Sequence, residues 1–179
     1  MCKPASMILT KDRAFWSLLT DSHEDIIAEF ALHADGARGP NIVRVEITPP
    51  DSRMDMPLDQ WTYQVDQDTL PDWYDAADGE ARTRAALVEY AAARVFADSH
   101  KHIVTNASCW AYKSSSVVAR GSSRVEAWGS SRVEAWESSL IRILKISSQV
   151  VKLAAKTAAI VVQIGDTAAR LVSEWPENK

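Results

Sequence analysis

Small and bulky residues alternate strictly in the second half of the chain, inside units of eight residues. Residues 121–128 read GSSRVEAW, and residues 129–136 repeat them letter for letter. In the first copy the two alternating sets are Ser123, Val125, Ala127 and Arg124, Glu126, Trp128. This pattern predicts a strand with one small face and one bulky face, followed by a bend. A helix is not expected, because a period of eight would spread Val and Trp over all of its faces.

Looser copies of the unit surround the duplication. From Ser114 they read SSSVVARG, SSRVEAWG, SSRVEAWE and SSLIRILK, after a degenerate SCWAYK. One short strand cannot bury its small face alone, so the copies are expected to stack. We predict a two-sided β-solenoid with two octads, about 16 residues, per coil and neighbouring coils about 4.8 Å apart. This register predicts two outer ladders of side chains: Trp110, Glu126, Arg142 on one face and Arg120, Trp136, Lys152 on the other.

The residues from 149 to 172 allow two interpretations. KTAAIVV and DTAARLV recur ten residues apart, which predicts further coils with larger, irregular rungs. Ser148 followed by good helix formers equally allows an amphipathic helix over 149–164. Periodicity leaves both interpretations open.

The first half has mixed helical and strand patterns. A cap at Thr10 and apolar residues at helical spacing predict a short helix that buries Ala14, Phe15, Leu18 and Leu19. Ser22 and Asp25 form a variant capping box for a second helix, which buries Ile26, Ile27 and Phe30.

Strands are expected at NIVRVEIT, which Pro49 and Pro50 end, and at Trp61–Val65. LPDWYDAADGE is typical of a turn, and ARTRAALVEYAAARVF predicts the longest helix. The predicted class is α+β, with an acidic α+β module over residues 1–100 and the β-solenoid over residues 101–179.

The two halves differ in charge. Residues 1–100 hold 18 acidic and 9 basic side chains, whereas residues 101–179 hold 6 and 11. This asymmetry indicates two modules that attract each other or face different partners. Two cysteines, Cys2 and Cys109, give no disulfide framework and favour a reducing compartment such as the cytoplasm. No apolar run or export signal predicts a membrane association.

The octad run resembles a known type of sequence. SSSVVARGSSRVEAWGSSRVEAWESS is similar to the SSxVxAxG runs of many proteins of phages and mobile elements, most of them uncharacterised, and the resemblance covers roughly Ser108 to Ser148. It implies a β-solenoid and a phage or prophage source. Proteins of that size and origin are often inhibitors of host defence, including anti-CRISPR proteins, although no residue here carries that activity over.

Residues with catalytic or metal-binding potential have structural interpretations. His100 and His102 would share one side of a strand, but no Cys or His partner lies near them in the sequence. Cys109 falls on the repeat position of Val117 and Val125, which predicts a buried thiol. The repeat serines are expected to form bends and hydroxyl ladders. We therefore predict no metal, no cofactor and no enzymatic activity.

Aspartates interleaved with aromatic residues between Asp51 and Asp78 form the most suggestive segment outside the repeat. Carboxylates at such spacing can imitate nucleic-acid phosphates, and aromatic residues anchor protein interfaces. The candidate partner-binding residues are Asp59, Trp61, Tyr63, Asp66, Asp68, Asp72, Trp73, Tyr74 and Asp75. A solvated acidic loop with tryptophans packed on the helices would explain the same residues.

The leading hypothesis is a non-enzymatic inhibitor that binds a basic, nucleic-acid-processing defence complex of the host and does not bind nucleic acid directly. The alternative is a scaffold protein that forms homodimers or larger assemblies through exposed solenoid edges. An enzyme of unrecognised type would need a pocket that gathers His100, His102 and the Asp66 region.

Overall fold

The computed structural model describes residues 4–36, 39–129, 131–146, 151–153, 160–164 and 169–172, with side-chain environments up to Arg142. These residues form both helices and sheets, so the class is mixed α+β. Contacts within the chain divide it into two compact units, Met1–Ala93 and Arg94–Lys179.

The first unit is built on an antiparallel sheet. Its strands, with a separate small hairpin of β3 and β4, are β1 (Ser6–Leu9), β2 (Ala14–Phe15), β3 (Asp35–Gly36), β4 (Gly39–Pro40), β5 (Val43–Thr48) and β6 (Thr62–Val65). The order in the sheet is β2-β1-β5-β6. The predicted strands at NIVRVEIT and Trp61–Val65 are thus confirmed. Val43, Val45 and Ile47 are fully buried, as the alternation requires.

The predicted helix over residues 10–19 is wrong. Thr10 instead begins the tight turn between β1 and β2, where its N–H donates to the Arg13 carbonyl oxygen at 2.9 Å. Its hydroxyl accepts from the Asp12 and Arg13 N–H groups at 3.4 and 3.3 Å. A threonine can satisfy a turn and a helix start by the same hydrogen bonds. Pairing of β2 with β1 decides for the hairpin, and Leu18 and Leu19 remain exposed.

The second predicted helix is confirmed as α1 (His23–Glu29). Ser22 caps it by accepting from the Asp25 N–H. Ile26 is fully buried in a cluster with Ile8 and Ile42, against which Ile27 and Phe30 pack.

The longest helix, α2 (Ala76–Arg94), begins earlier than predicted, because residues 76–80 belong to it and not to a turn. Asp75 caps it, since its carboxylate accepts from the Asp78 N–H at 2.9 Å. Gly79 lies inside the helix where the Tyr74 ring packs against it. That packing explains why a poor helix former occupies this position.

The residues of the second unit that the structure describes form ten strands. They are β7 (Val95–Phe96), β8 (Lys101–Thr105), β9 (Ser108–Ala111), β10 (Ser116–Arg120), β11 (Arg124–Gly129), β12 (Arg132–Ala135), β13 (Leu140–Ile146), β14 (Val151–Leu153), β15 (Ile160–Ile164) and β16 (Ala169–Val172). Up to β15, successive strands alternate between two sheets of order β14-β12-β10-β8 and β16-β15-β13-β11-β9-β7. Neighbours are parallel except β15 and β16.

The small face of each repeat fills the core, as predicted. Val125, Ala127, Val133 and Ala135 are fully buried and belong to one apolar cluster that draws on both sheets. Cys109 is buried in the same cluster and lies beside Val125 on the neighbouring strand.

The predicted 16-residue register is present in the central strands. Val125 pairs with Cys109 and Ile141, 16 positions away on either side. The first predicted ladder is confirmed, because the Trp110 indole N–H and the Arg142 guanidinium both donate to the Glu126 carboxylate, at 3.2 and 2.6 Å.

The second predicted ladder is wrong at its end, because Lys152 pairs with Glu134 and not with Trp136. The sequence separation between paired residues is larger in this part of the chain: Val133 pairs with Val151, 18 positions on, and Leu140 with Ile160, 20 positions on. Larger rungs were expected here, and residues 151–153 and 160–164 are strands, so a helix over 149–164 is wrong for these segments. The rest of 149–172 outside the strands lies outside the described residues.

The bends repeat one backbone conformation. Residues in the left-handed region, with φ from +50° to +66°, close successive units: Asn106, Lys113, Gly121, Gly129 and Glu137. The predicted role of serine in the bends is confirmed at Ser123 and Ser139. Their hydroxyls donate to the carbonyl oxygens of Arg120 and Trp136, three residues earlier.

Candidate functional site

The predicted contact segment, residues 51–78, lies wholly in the first unit, between the end of β5 and the first turn of α2. Several of its carboxylates have structural partners. Asp55 forms two hydrogen bonds with Arg53 and its side chain is only 4% exposed. Asp75 caps α2, and Asp78 forms an ion pair with Arg82 at 2.8 Å. These carboxylates stabilise the unit and are less free to imitate phosphates.

Asp66 also has a neighbour in the unit. Its Oδ2 atom lies 3.4 Å from Nδ1 of His23, an imidazole that is buried and whose Nε2 lies 3.0 Å from the Val45 carbonyl oxygen. The Asp66 side chain is nevertheless 49% exposed.

The aromatic residues of the segment divide into buried and accessible ones. Trp61 is 1% exposed, and its indole N–H donates to the Met56 carbonyl oxygen at 3.1 Å, so it offers no surface to a partner. Tyr63 and Tyr74 share a hydrogen bond of 2.9 Å between their hydroxyls. Burial, with this hydrogen bond, raises the pKa of the Tyr63 phenol, which therefore stays neutral. Trp73 is half-buried and packs edge-on against Tyr74.

Of the nine candidate residues, Asp59, Asp66, Asp68, Asp72 and Asp75 are exposed, Tyr63, Trp73 and Tyr74 are half-buried, and Trp61 is buried. Tyr74 contacts Trp73 directly, and Tyr63 holds the Tyr74 hydroxyl through their shared hydrogen bond. The segment is therefore a smaller acidic surface than its sequence predicts.

A cleft of about 640 Å³ opens on the same unit. One wall comes from the β2 hairpin and the end of α1, with Phe15, Trp16, Leu18 and Phe30, and the other from α2, with Arg82, Ala85, Ala86 and Glu89. The rings of Phe15 and Phe30 are 5.1 Å apart, and Arg13 lies 4.2 Å over the Phe15 ring. We call this feature the aromatic cleft.

Exposed apolar side chains lie in the aromatic cleft and next to it in the chain. Leu18, which lines it, is 45% exposed, and its neighbour in the chain Leu19 is 50% exposed. Val88, adjacent in α2 to the lining residue Glu89, is 58% exposed. A concave apolar surface with a few charged groups is typical of binding sites, and grouped exposed apolar side chains mark interaction surfaces.

Arg82 joins the aromatic cleft to the predicted contact segment. Its guanidinium donates to the Thr10 carbonyl oxygen at 2.7 Å and pairs with Asp78. The same guanidinium lies 5.8 Å from the centre of the Trp73 ring, and Arg82 also lines the cleft. The cleft and Trp73 are thus parts of one surface.

The aromatic cleft was not predicted from the sequence, because the spacing of Phe15, Leu18 and Leu19 indicated the buried face of a helix. The signal that could have revealed it is the apolar run FWSLL after a turn-forming Thr10. The α2 wall was hidden as well, since alanines such as Ala85 and Ala86 give no chemical signal.

The cysteine and histidines considered as reactive groups, Cys109, His100 and His102, are buried or in contact with neighbouring side chains. Burial raises the pKa of the Cys109 thiol to about 12, so it is not a nucleophile at neutral pH, as predicted. His102 stacks on Phe96 with ring centres 4.1 Å apart and contacts the Asp98 carboxylate at 2.7 Å, while His100 lies 3.3 Å from the other carboxylate oxygen. Among the described side chains, no three His, Cys, Asp or Glu residues are grouped so that they could hold a metal ion.

In the ranges that the structure describes, neither helix has the length and apolar character needed to cross a membrane. Comparisons with protein-family models, with curated proteins and with solved structures find no match for the chain.

Proposed function

We propose that this protein is a non-enzymatic protein-binding protein whose first unit contacts its partner through the aromatic cleft and Trp73. The observation that carries the proposal is the continuity of this surface: Arg82 lines the cleft and lies over the Trp73 ring. Exposed Leu18 and half-buried Phe15 and Trp16 supply the apolar area that anchors interfaces.

The partner that we propose is a basic, nucleic-acid-processing defence complex in the cytoplasm of a bacterial host. Asp72 directly precedes Trp73 in the chain and Asp68 lies five residues before it; both carboxylates are exposed, and the exposed Asp59 adds a third. Their charge would steer a basic protein towards the surface, while the aromatic cleft would hold it. The octad resemblance supports a phage or mobile-element origin and, with it, an anti-CRISPR-like inhibitor.

We further propose that the second unit is a two-sided β-solenoid with about two octads per coil, which serves as a rigid scaffold. The 16-residue pairing of Val125 with Cys109 and Ile141 supports this architecture, as does the alternation of successive strands between two parallel sheets.

The test is affinity capture from a bacterial lysate with paired variants of α2. Ala85→Arg fills the aromatic cleft, whereas Ala92→Arg places the same charge at another exposed alanine of α2 that does not line it. We expect a stoichiometric basic protein to be retained by wild type and by Ala92→Arg and lost by Ala85→Arg. Equal retention by both variants would exclude the cleft as the contact surface.

Charge is tested separately. Asp68→Lys with Asp72→Lys should make the captured partner dissociate at lower salt, whereas Asp35→Lys, a reversal at an exposed carboxylate of β3, should not. If all three reversals left the salt dependence unchanged, the acidic part of the proposal would be wrong.

A second candidate function is self-assembly through a sheet edge. β8 is the terminal strand of its sheet in the described part of the chain, and Ile103 on it is 62% exposed. An exposed edge strand invites pairing with another chain. Light scattering at increasing concentration should then show dimers for wild type and monomers for Ile103→Lys, and a monomeric wild type would remove this candidate.

A further inference from the structure

The duplicated octapeptide places the same residues on two different faces of the second unit, because β11 and β12 belong to different sheets. On the β11 face, Glu126 accepts hydrogen bonds from Trp110 and Arg142. Trp128 stacks on Tyr112 with ring centres 5.9 Å apart. The bulky residues of this copy therefore have most of their partners within the protein.

The bulky side chains of the second copy have fewer partners within the protein. Trp136, the counterpart of Trp128, is 44% exposed and has no ring partner among the described side chains. Arg132 is exposed and has no carboxylate partner within the same part of the chain. Glu126 and Trp128 have side-chain partners on one face, whereas Glu134 and Trp136 have none among the described side chains on the other. Arg124 and Arg132 are exposed on both faces. The face of the second copy is therefore the more open of the two and is available for a ligand.

Neighbouring strands add further cations to the open face. Ser116 in β10 pairs with Lys101 in β8 on one side and with Arg132 in β12 on the other, so these three side chains form one row. The Trp136 N–H donates to the Ala119 carbonyl oxygen at 2.9 Å, which places Trp136 beside Arg120 in a second row. Lys101 and Arg120 are exposed, and neither has a carboxylate partner among the described residues. We call Lys101, Arg120, Arg132 and Trp136 the basic face; Glu134, which lies between Arg132 and Trp136 on the same side of β12, adds one carboxylate to it.

We propose that the basic face binds single-stranded nucleic acid, against the expectation from the sequence that the protein does not bind nucleic acid directly; this function goes beyond the protein contact proposed for the first unit. Lys101 and Arg132 would neutralise phosphates, with the Ser116 hydroxyl as a donor between them. Trp136 and the Arg120 guanidinium offer planar surfaces on which bases stack. Duplex readout is not expected, because this face is the surface of a sheet and not an element shaped for a groove.

Charge and aromatic exposure together favour a nucleic acid over an acidic protein. An acidic peptide would use the three cations but would gain little from an exposed tryptophan beside an arginine. The whole chain carries a net charge of −4, so its long-range field does not attract a polyanion. Binding must therefore depend on direct contacts at this face, and single substitutions there should change the affinity measurably.

Fluorescence anisotropy of a labelled oligothymidylate at low salt tests the proposal, with the two octads as matched variants. Arg132→Gln should lower the slope of log K against log salt by about 0.7, the value for one phosphate contact on a single strand, whereas Arg124→Gln should not. Arg124 has the same local sequence and the same exposure, but it pairs with Ser108 and Leu140 and has no cation beside it.

Base stacking is tested with Trp136. Trp136→Ala should weaken binding at least about fivefold, and Trp136→Phe should restore most of it. A thermal unfolding midpoint equal to that of wild type would show that each variant keeps its fold. The proposal is overturned if oligothymidylate does not bind, if Arg124→Gln and Arg132→Gln have equal effects, or if polyglutamate displaces the oligonucleotide as well as unlabelled oligothymidylate does, since that result indicates an acidic-protein surface.

Discussion

Two serines at the same place in identical octapeptides have different environments. The Ser123 hydroxyl donates to the Arg120 carbonyl oxygen, whereas the buried Ser131 hydroxyl has no hydrogen-bond partner among the described residues. A buried hydroxyl stabilises the fold only when it is paired. Because the two octapeptides have the same sequence, the difference arises from the tertiary surroundings of each residue.

We predict that Ser123→Ala lowers the free energy of unfolding by about 1 kcal/mol. Ser131→Ala should leave it unchanged or raise it, because the substitution removes an unpaired buried hydroxyl. Denaturant unfolding of the two variants measures the difference. Equal losses would show that the Ser131 hydroxyl does have a partner.

Asp98 gives a residue-scale prediction of pH dependence. Hydrogen bonds from His102 and from the His100 backbone lower the pKa of the Asp98 carboxyl from 3.8 to about 2. A carboxyl whose pKa is lower in the folded state stabilises the fold above its unfolded pKa, and this contribution disappears as the pH falls from about 4 to about 2. NMR titration should find the low pKa in wild type and a value nearer 3.8 in His102→Gln. A normal value in wild type would contradict the contact.

At the scale of elements, strand and helix identity follows the local pattern except where a turn competes. The β5 alternation and the α1 cap gave the right elements, since each buries the face that its period predicts. The segment after Thr10 did not, because its hydrogen bonds suit either a helix or a turn and pairing with β1 favours the turn. The start of α2 was not predicted because LPDWYDAADGE, which contains the capping Asp75, was interpreted as a turn.

The capping of α2 separates structural from exposed aspartates. Asp75→Ala should cost about 1 kcal/mol of stability, because it removes the acceptor for an N–H of the first turn. Asp72→Ala should cost little, since Asp72 is exposed. Thermal unfolding followed by circular dichroism compares the two. Similar effects would mean that Asp75 does not determine where the helix begins.

At the scale of the whole molecule, the number of residues in the repeat decides which of the two sheets each later strand joins. Deleting residues 121–136 removes one strand from each sheet of the second unit and brings Glu137, already in the left-handed region, after Arg120. Each later strand should keep its sheet. Deleting only residues 129–136 would move every later strand to the opposite sheet.

We therefore predict that the 16-residue deletion unfolds cooperatively at a somewhat lower temperature, whereas the eight-residue deletion loses cooperative unfolding. Calorimetry of both proteins, with wild type beside them, measures this. Two deletions that behave alike would show that the later strands are not tied to a particular sheet.

The sequence by itself determined the strands of the repeat, their inward-facing Val125 and Val133, the 16-residue register and the burial of Cys109. These follow from a local alternation that one stacking arrangement satisfies, so no distant residue had to be known. Only the tertiary structure decided which carboxylates are used internally, that Trp61 is buried, and that Phe15 and Trp16 line a cleft with Ala85. Those outcomes depend on which elements meet in space, and a residue's type and spacing contain no information about a neighbour 70 positions away. The same reason explains why Trp128 stacks on Tyr112, whereas Trp136, at the same place in an identical octapeptide, has no ring partner among the described side chains.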